Sequence, residues 1–150
     1  MYIKEIIALI EEYAPLKFQA SFDNSGLLCG DPKRELTSVL LCIDVTEEVV
    51  NEAIIHGHNL IISHHPLIFS GLKHITPATY VERCVISAIK HDITIYAAHT
   101  NMDVVANGVS GRMADKLHLH NRQILQPEGD LSEGNGFGII GELETPVESM

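Results

Sequence analysis

Three short runs of nearly unbroken apolar residues, each followed by a stretch with helical spacing, constrain this 150-residue chain more than any other feature. The runs are Val39-Leu40-Leu41-Cys42-Ile43, Leu60-Ile61-Ile62 and Ile93 to Ala98. Strands that are apolar on both faces belong to parallel sheets whose crossover helices bury both sides. The expected fold class is therefore α/β, with a mostly parallel sheet covered by helices on both faces.

The helices can be placed by period and by their ends. Ile3, Ile6, Ile7 and Ile10 recur at helical spacing, and Pro15 stops the pattern. Thr46 reads as an N-cap, Glu47 and Glu48 suit the first turn, and Gly57 is a stop, with Val49, Val50, Ala53 and Ile54 inward. Thr76 and Pro77 are expected to open the next helix, with Val81, Val85, Ala88 and Ile89 facing the core. Val109, Met113 and Leu117 mark a last helix. Phe22 to Gly30 reads as a loop or short strand. From Gln126 to Gly138 the composition turns to Pro, Gly, Ser and acids, a linker or long turn before one more strand, Gly138 to Leu143. Residues 1–125 are thus expected to form an α/β metal-binding domain. Residues 126–150 would be a linker and the start of a second, incomplete part.

Composition narrows the function classes. Ten basic against twenty acidic residues give a formal charge of −10, which disfavours nucleic acid because phosphate tracking needs clustered Lys and Arg. No apolar run reaches the ~18 residues that cross a membrane, and the first residues, with Lys4, Glu5, Glu11 and Glu12, are unlike a secretory signal. Cys29, Cys42 and Cys84 are widely spaced, with no C-x-x-C pair; Cys42 on an apolar strand and Cys84 on an apolar helix face read as buried thiols, and a reducing cytoplasm is the expected setting.

Histidine is the compositional oddity, with nine copies. His56 and His58, flanking Gly57, and His118 and His120 read as helix-end residues, and His74 and His91 as surface residues. The others are different. Ligands of a parallel α/β sheet bind beyond the carboxyl ends of its strands, and the residues there are Asp44, then Ser63-His64-His65-Pro66, then His99-Thr100-Asn101-Met102-Asp103. Potential metal ligands thus reach one edge from three separate segments. Neighbouring side chains of a strand point to opposite faces. At a strand end, where Pro66 bends the chain, His64 and His65 can each reach one ion of a pair. His99 and Asp103, at i and i+4, converge if the chain turns at once after the strand. Imidazole with carboxylate suits Zn, Fe, Mn or Ni without choosing among them. Asp44 and Asn101 are candidates to orient the imidazoles rather than to bind metal. Asn107-Gly108-Val109-Ser110-Gly111 is read as a plain glycine-rich helix entry. The chain carries no G-x-S-x-G elbow and no P-loop, and Gly136-Phe137-Gly138, with no helix expected after it, is not read as a phosphate cradle. No catalytic residue can be named.

Three segments, Phe22-Asp23-Asn24-Ser25-Gly26-Leu27-Leu28-Cys29-Gly30, Ser63 to Phe69 and Ala98 to Asp103, in that order, resemble the Nif-three-like dinuclear metal-centre family. Some of its members bear the name GTP cyclohydrolase one type two. The resemblance runs over essentially the whole chain. It implies two interlinked α/β parts, a toroidal hexamer and metal pairs facing an internal cavity, with His64, His65, His99 and Asp103 matching four of the family's ligands. The family's remaining His and Glu, in a C-terminal H-x-x-x-E motif, have no counterpart in this sequence, although Glu142, Glu144 and Glu148 offer carboxylates. A truncated family member, or a site completed by water or another subunit, is the expectation that follows. The leading functional reading is a dinuclear, hydrolase-like site activating a water against a small substrate such as a nucleotide or phosphoester. The rival is a non-catalytic metal-binding assembly or regulatory protein. Either is expected to be a homo-oligomer.

Overall fold

In the computed structural model, residues 1–127 and 134–145 are described. Four strands make the main sheet: β1 (Gly26–Cys29), β2 (Val39–Cys42), β3 (Leu60–Ser63) and β4 (Thr94–Ala97), in the order β1-β4-β3-β2. β2, β3 and β4 are parallel, and β1 runs antiparallel to β4 with Gly26 opposite Ala97. The α/β fold with a mostly parallel sheet is as expected from the apolar runs.

Helices cover both faces. α1 (Ile3–Tyr13) lays Ile3 and Ile7 on Leu60 and Tyr96. On the opposite face α2 (Glu47–His56) and α3 (Tyr80–Lys90) bring Val50, Ala53, Cys84, Val85 and Ala88 against Ile61 and Ile95. Burial of two separate apolar layers is what holds the short strands in register. α2 begins and ends as its sequence dictates. The Thr46 hydroxyl accepts the Val49 N–H, and Gly57 takes the left-handed conformation with φ +72°.

Four expectations are corrected. β2 is an edge strand. Its apolar run is not fully buried, because α1 covers only the Val39 end and Leu41 is 72% exposed. α3 opens at Thr79, not Thr76. The Thr79 hydroxyl accepts the Glu82 N–H, while Thr76 gives its N–H and O–H to the Glu82 carboxylate. Thr79 lies three residues before Glu82, the spacing of an N-cap box, and that signal outweighs Pro77. Third, Ile89, expected to face the core, is 52% exposed, while Cys84 is buried as read. The last helix lies where expected, as α5 (Val109–Lys116) capped by Leu117, with Val109, Met113 and Leu117 exposed and Gly111 and Ala114 buried.

The fourth concerns the C-terminal segment. A hairpin of β5 (His120–Pro127) and β6 (Gly136–Glu142) packs through β6 on α5 and on α4 (Thr100–Val104). Gln126, Pro127 and Gly136 to Gly138 are strand, not linker, and His120 opens β5 instead of ending a helix. β5 was invisible to pattern because nearly all of it is exposed, so no alternation of apolar residues marks it.

The glycine-rich entry to α5 is structural, as its sequence suggested. A Cβ on Gly108 would stand 1.8 Å from the Met102 carbonyl oxygen, and one on Gly111 would stand 2.2 Å from that of Ala106. Backbone must yield in either case. Gly108→Ala is expected to cost about 2–3 kcal/mol as overpacking of a tight junction, read as a drop in thermal midpoint. A midpoint within one degree or so of the parent would show that the junction is loose.

Candidate metal centre

The carboxyl edge of the parallel strands gathers the residues singled out by the sequence. His64 and His65 follow β3, where the backbone stays paired beyond the strand: the His64 N–H donates to the Cys42 carbonyl (3.1 Å) and the His65 N–H to that of Ile43 (2.9 Å). The buried Ser63 hydroxyl donates to the His65 carbonyl at 2.8 Å and closes the turn. His99 follows β4 as the N-cap of α4, so the chain turns at once, and the Asp103 N–H returns to the His99 carbonyl at 3.2 Å. The immediate turn after the strand is the condition under which His99 and Asp103 can converge.

One ring nitrogen each of His64, His65 and His99 lies within 4.8 Å of the other two. Their ring centroids are 5.0 to 5.6 Å apart. The opposite nitrogens are all engaged. His64 Nδ1 donates to the Ala98 carbonyl at 3.0 Å, His65 Nδ1 to Asp44 Oδ1 at 2.8 Å and His99 Nδ1 to Asp23 Oδ1 at 2.8 Å. A carbonyl or carboxylate oxygen only accepts here, so in the neutral form of each ring Nδ1 holds the proton and Nε2 has the lone pair. Among the described residues no hydrogen bond occupies those Nε2 atoms. Three convergent, unprotonated imidazole nitrogens backed by oxygen acceptors form a donor set that fits a divalent ion of borderline softness.

The acidic candidates divide. Asp103 Oδ1 stands 3.8 Å from His64 Nε2, beside the cluster, though it is not one of the three mutually close donors. Asp44 touches the His65 ring in the orienting position expected of it. Asn101 is different from the expectation. It is fully buried, its Oδ1 accepts the backbone N–H of His99 at 3.0 Å, and its Nδ2 donates to the Ala14 carbonyl at 2.7 Å. It therefore fixes the main chain under His99 and the end of α1, and no imidazole ring. Glu142 is at the end of β6, accepting from Asn121 Nδ2, and Glu148 lies outside the described residues.

Sequence reasoning missed Asp23. It appeared only inside the family motif, with no role attached. Its carboxylate accepts from the Asn24 N–H, the Ser25 hydroxyl, His99 Nδ1 and both the N–H and the hydroxyl of Thr100. Burial alone would raise this group, but the bonds from His99, Thr100, Ser25 and Asn24 outweigh it and hold the carboxyl far below the ordinary range. The cysteines take no part. Burial pushes the thiols of Cys29, Cys42 and Cys84 up to about 11, so none is a ready thiolate. Of the remaining histidines, His58 Nδ1 meets the Ser38 hydroxyl. His91 is exposed, as expected, and its Nδ1 meets the Ser87 carbonyl at the end of α3.

Known proteins share this sequence and fold. A Clostridium perfringens protein named GTP cyclohydrolase 1 type 2 homolog is 40% identical over 143 residues, 95% of this chain. A Halalkalibacterium halodurans protein of the same name is 43% identical over 122 residues, 81% of the chain. The matched regions are only 54% and 33% of those relatives, so the chain spans about half the length of the first and a third of the second. Among solved structures, a Bacillus cereus protein related to NIF3 superposes with a TM-score of 0.81 at 43% identity, covering 86% of this chain and 35% of that one. Reduced HcgD from Methanocaldococcus jannaschii gives 0.77 at 31% identity, covering 83% and 50%. The Duf34/NIF3 (NGG1p interacting factor 3) family matches residues 1–150 from end to end, and the chain belongs to it.

Proposed function

We propose that this chain holds divalent metal and serves hydrolysis of a small substrate, a nucleotide or phosphoester being the class to try first. The observation that carries the reading is the triad of Nε2 lone pairs from His64, His65 and His99, each preset by an acceptor on Nδ1. Asp103 would add a carboxylate oxygen from the neighbouring position. Two ions, as strand geometry and the family resemblance imply, belong to this proposal, and so does the family's name as a pointer to GTP. A bound divalent ion supplies Lewis acidity and brings the pKa of a coordinated water towards neutrality. The chain's own part is to present neutral imidazole nitrogens, keep their protons on the far side of each ring, and hold Asp103 close. A reducing, cytoplasmic setting fits the three free thiols.

The test begins with metal analysis of protein purified without chelator, followed by addition of Zn or Mn. Ligand at a hundred times its dissociation constant stabilises by about 2.7 kcal/mol, an increase of roughly 5–10 °C in midpoint for a chain of this size. Absence of both metal and shift would end the proposal. Turnover of GTP or simple phosphoesters that disappears in His64→Ala, with oligomeric state unchanged, would support hydrolysis.

A second reading has its own observation. Val109, Met113 and Leu117 on α5, and Leu41 and Ile43 at the β2 edge, leave apolar surface open. Such patches mark interfaces, and a metal-bearing homo-oligomer, a hexamer by family resemblance, would use them without any turnover. Metal binding and stable oligomers with no activity against any of these substrates would favour it. No helix among the described residues is long and apolar enough to cross a membrane.

A further inference from the structure

Resting on the metal-site reading above, we propose that Asp23 is the positioning residue of this centre, fixing His99 as a ligand before any metal arrives. The three imidazoles are not backed alike. His64 leans on a main-chain carbonyl, and His65 on Asp44, a carboxylate whose side chain is 65% exposed. His99 leans on Asp23, whose side chain has 0% exposure. An exposed carboxylate shares its partner with water and swings with its rotamers, so it orients a ring weakly. A covered carboxylate, with both oxygens committed, does not swing.

The commitment is visible atom by atom. Asp23 Oδ1 takes the Asn24 N–H at 2.6 Å and His99 Nδ1 at 2.8 Å. Oδ2 takes the Ser25 hydroxyl at 2.7 Å, the Thr100 N–H at 3.1 Å and the Thr100 hydroxyl. The loop carrying Asp23 is itself stitched down, with the Ala20 N–H on Thr100 Oγ1 and the Ser25 N–H on Gln19 Oε1, both at 2.9 Å. Antiparallel pairing of Gly26 with Ala97 sets the meeting. Asp23 lies three residues before the first, and His99 two after the second.

An asparagine here cannot reproduce that pattern. Its single carbonyl can serve one side of the former carboxylate, and its amide must face donors on the other. With the amide towards Thr100 and Ser25, three donors confront a donor. With the amide towards His99, Nδ1 becomes the acceptor and the ring proton moves to Nε2, the atom a metal needs. The first arrangement breaks the bonds that hold the Asp23 side chain in place and the second takes the proton from His99 Nδ1, so His99 loses either its fixed support or its preset form. Outer partners of ligating histidines change metal affinity by about 10–100-fold, and Asp23 belongs in that range while the exposed Asp44 falls below it.

The experiment compares the full chain with Asp23→Asn, Asp44→Asn and Thr100→Val. Competition titration with zinc gives affinity, and circular dichroism with thermal melting gives fold. Long-range proton–nitrogen NMR of the metal-free protein at about pH 8, where imidazole is neutral, gives the His99 tautomer. The expected result is the Nδ1-protonated tautomer in the parent, a mixed or reversed tautomer in Asp23→Asn, and a zinc affinity lower by about 10–100-fold. Thr100→Val should lower the melting midpoint and keep the tautomer, because the bond from His99 Nδ1 to Asp23 Oδ1 is untouched, with a loss of zinc affinity smaller than that of Asp23→Asn. Unchanged His99 signals in a folded Asp23→Asn overturn the proposal, as does an affinity equal to the parent's. A parent that binds no zinc overturns the functional reading instead, and the tautomer comparison in metal-free protein still decides Asp23.

Discussion

His99→Ala is expected to weaken zinc binding by about a hundredfold or more. Structural zinc in small peptides is worth about 10–16 kcal/mol over four ligands, so one ligand accounts for roughly 3 kcal/mol. At about 1.4 kcal/mol per factor of ten, that is two orders of magnitude. The substitution also removes one donor from the covered Asp23 carboxylate, and leaving a buried charge short of a partner costs stability as well. Affinity must therefore be measured by chelator competition well below the melting midpoint, which is followed separately. His91→Ala is the proper comparison, because its ring only closes the end of α3 on the Ser87 carbonyl. It should bind zinc as the parent does. If His99→Ala and His91→Ala bind alike, the three converging histidines are not the metal site.

Ile61→Ala should lose about 3–5 kcal/mol of stability. Ile61 is in β3, paired on both sides by parallel strands, and has 0% exposure. It belongs to the apolar layer formed with Val50, Ala53, Val85, Ala88 and Ile95. Removing its outer carbons deletes the transfer term and leaves a cavity that two helices and a sheet cannot close. Domains of this kind hold only about 5–15 kcal/mol in total. At roughly 2–4 °C per kcal/mol for a chain of this length, the melting midpoint should fall by about 10 °C. A loss below about 1 kcal/mol would mean that α2 and α3 do not pack on the sheet as described. Because His64 and His65 leave the end of this strand, the variant also tests whether the centre survives on a loosened sheet.

Much of the fold was legible because its signals are local. Leu60 to Ile62 and Ile93 to Ala98 read as strands, since a strand buried on both faces has little room for polar residues, and Val39 to Ile43 reads the same way although β2 lies at the edge with Leu41 exposed. Thr46 and Gly57 mark α2, since a helix end must satisfy its own backbone groups. The errors came where the local signal was ambiguous or absent. Thr76-Pro77 and Thr79-x-x-Glu82 are both helix openings on paper, and the Thr79 hydroxyl, accepting the Glu82 N–H, marks the second as the one used. β5 carries no period to read, because most of its side chains face water. Val109, Met113 and Leu117 have the right period, yet they are left exposed.

By itself the sequence determined an α/β chain whose parallel strands deliver His64, His65, His99 and Asp103 to one edge, because strand ends are where such a sheet exposes its ligands. Only the tertiary structure decided which groups stand behind the rings. β1 runs antiparallel, so the loop before it enters at the edge where β4 ends, and Asp23 meets a histidine 76 residues away. No local rule encodes that distance. It follows from strand pairing, which is settled by the packing of the whole sheet and not by the residues that meet.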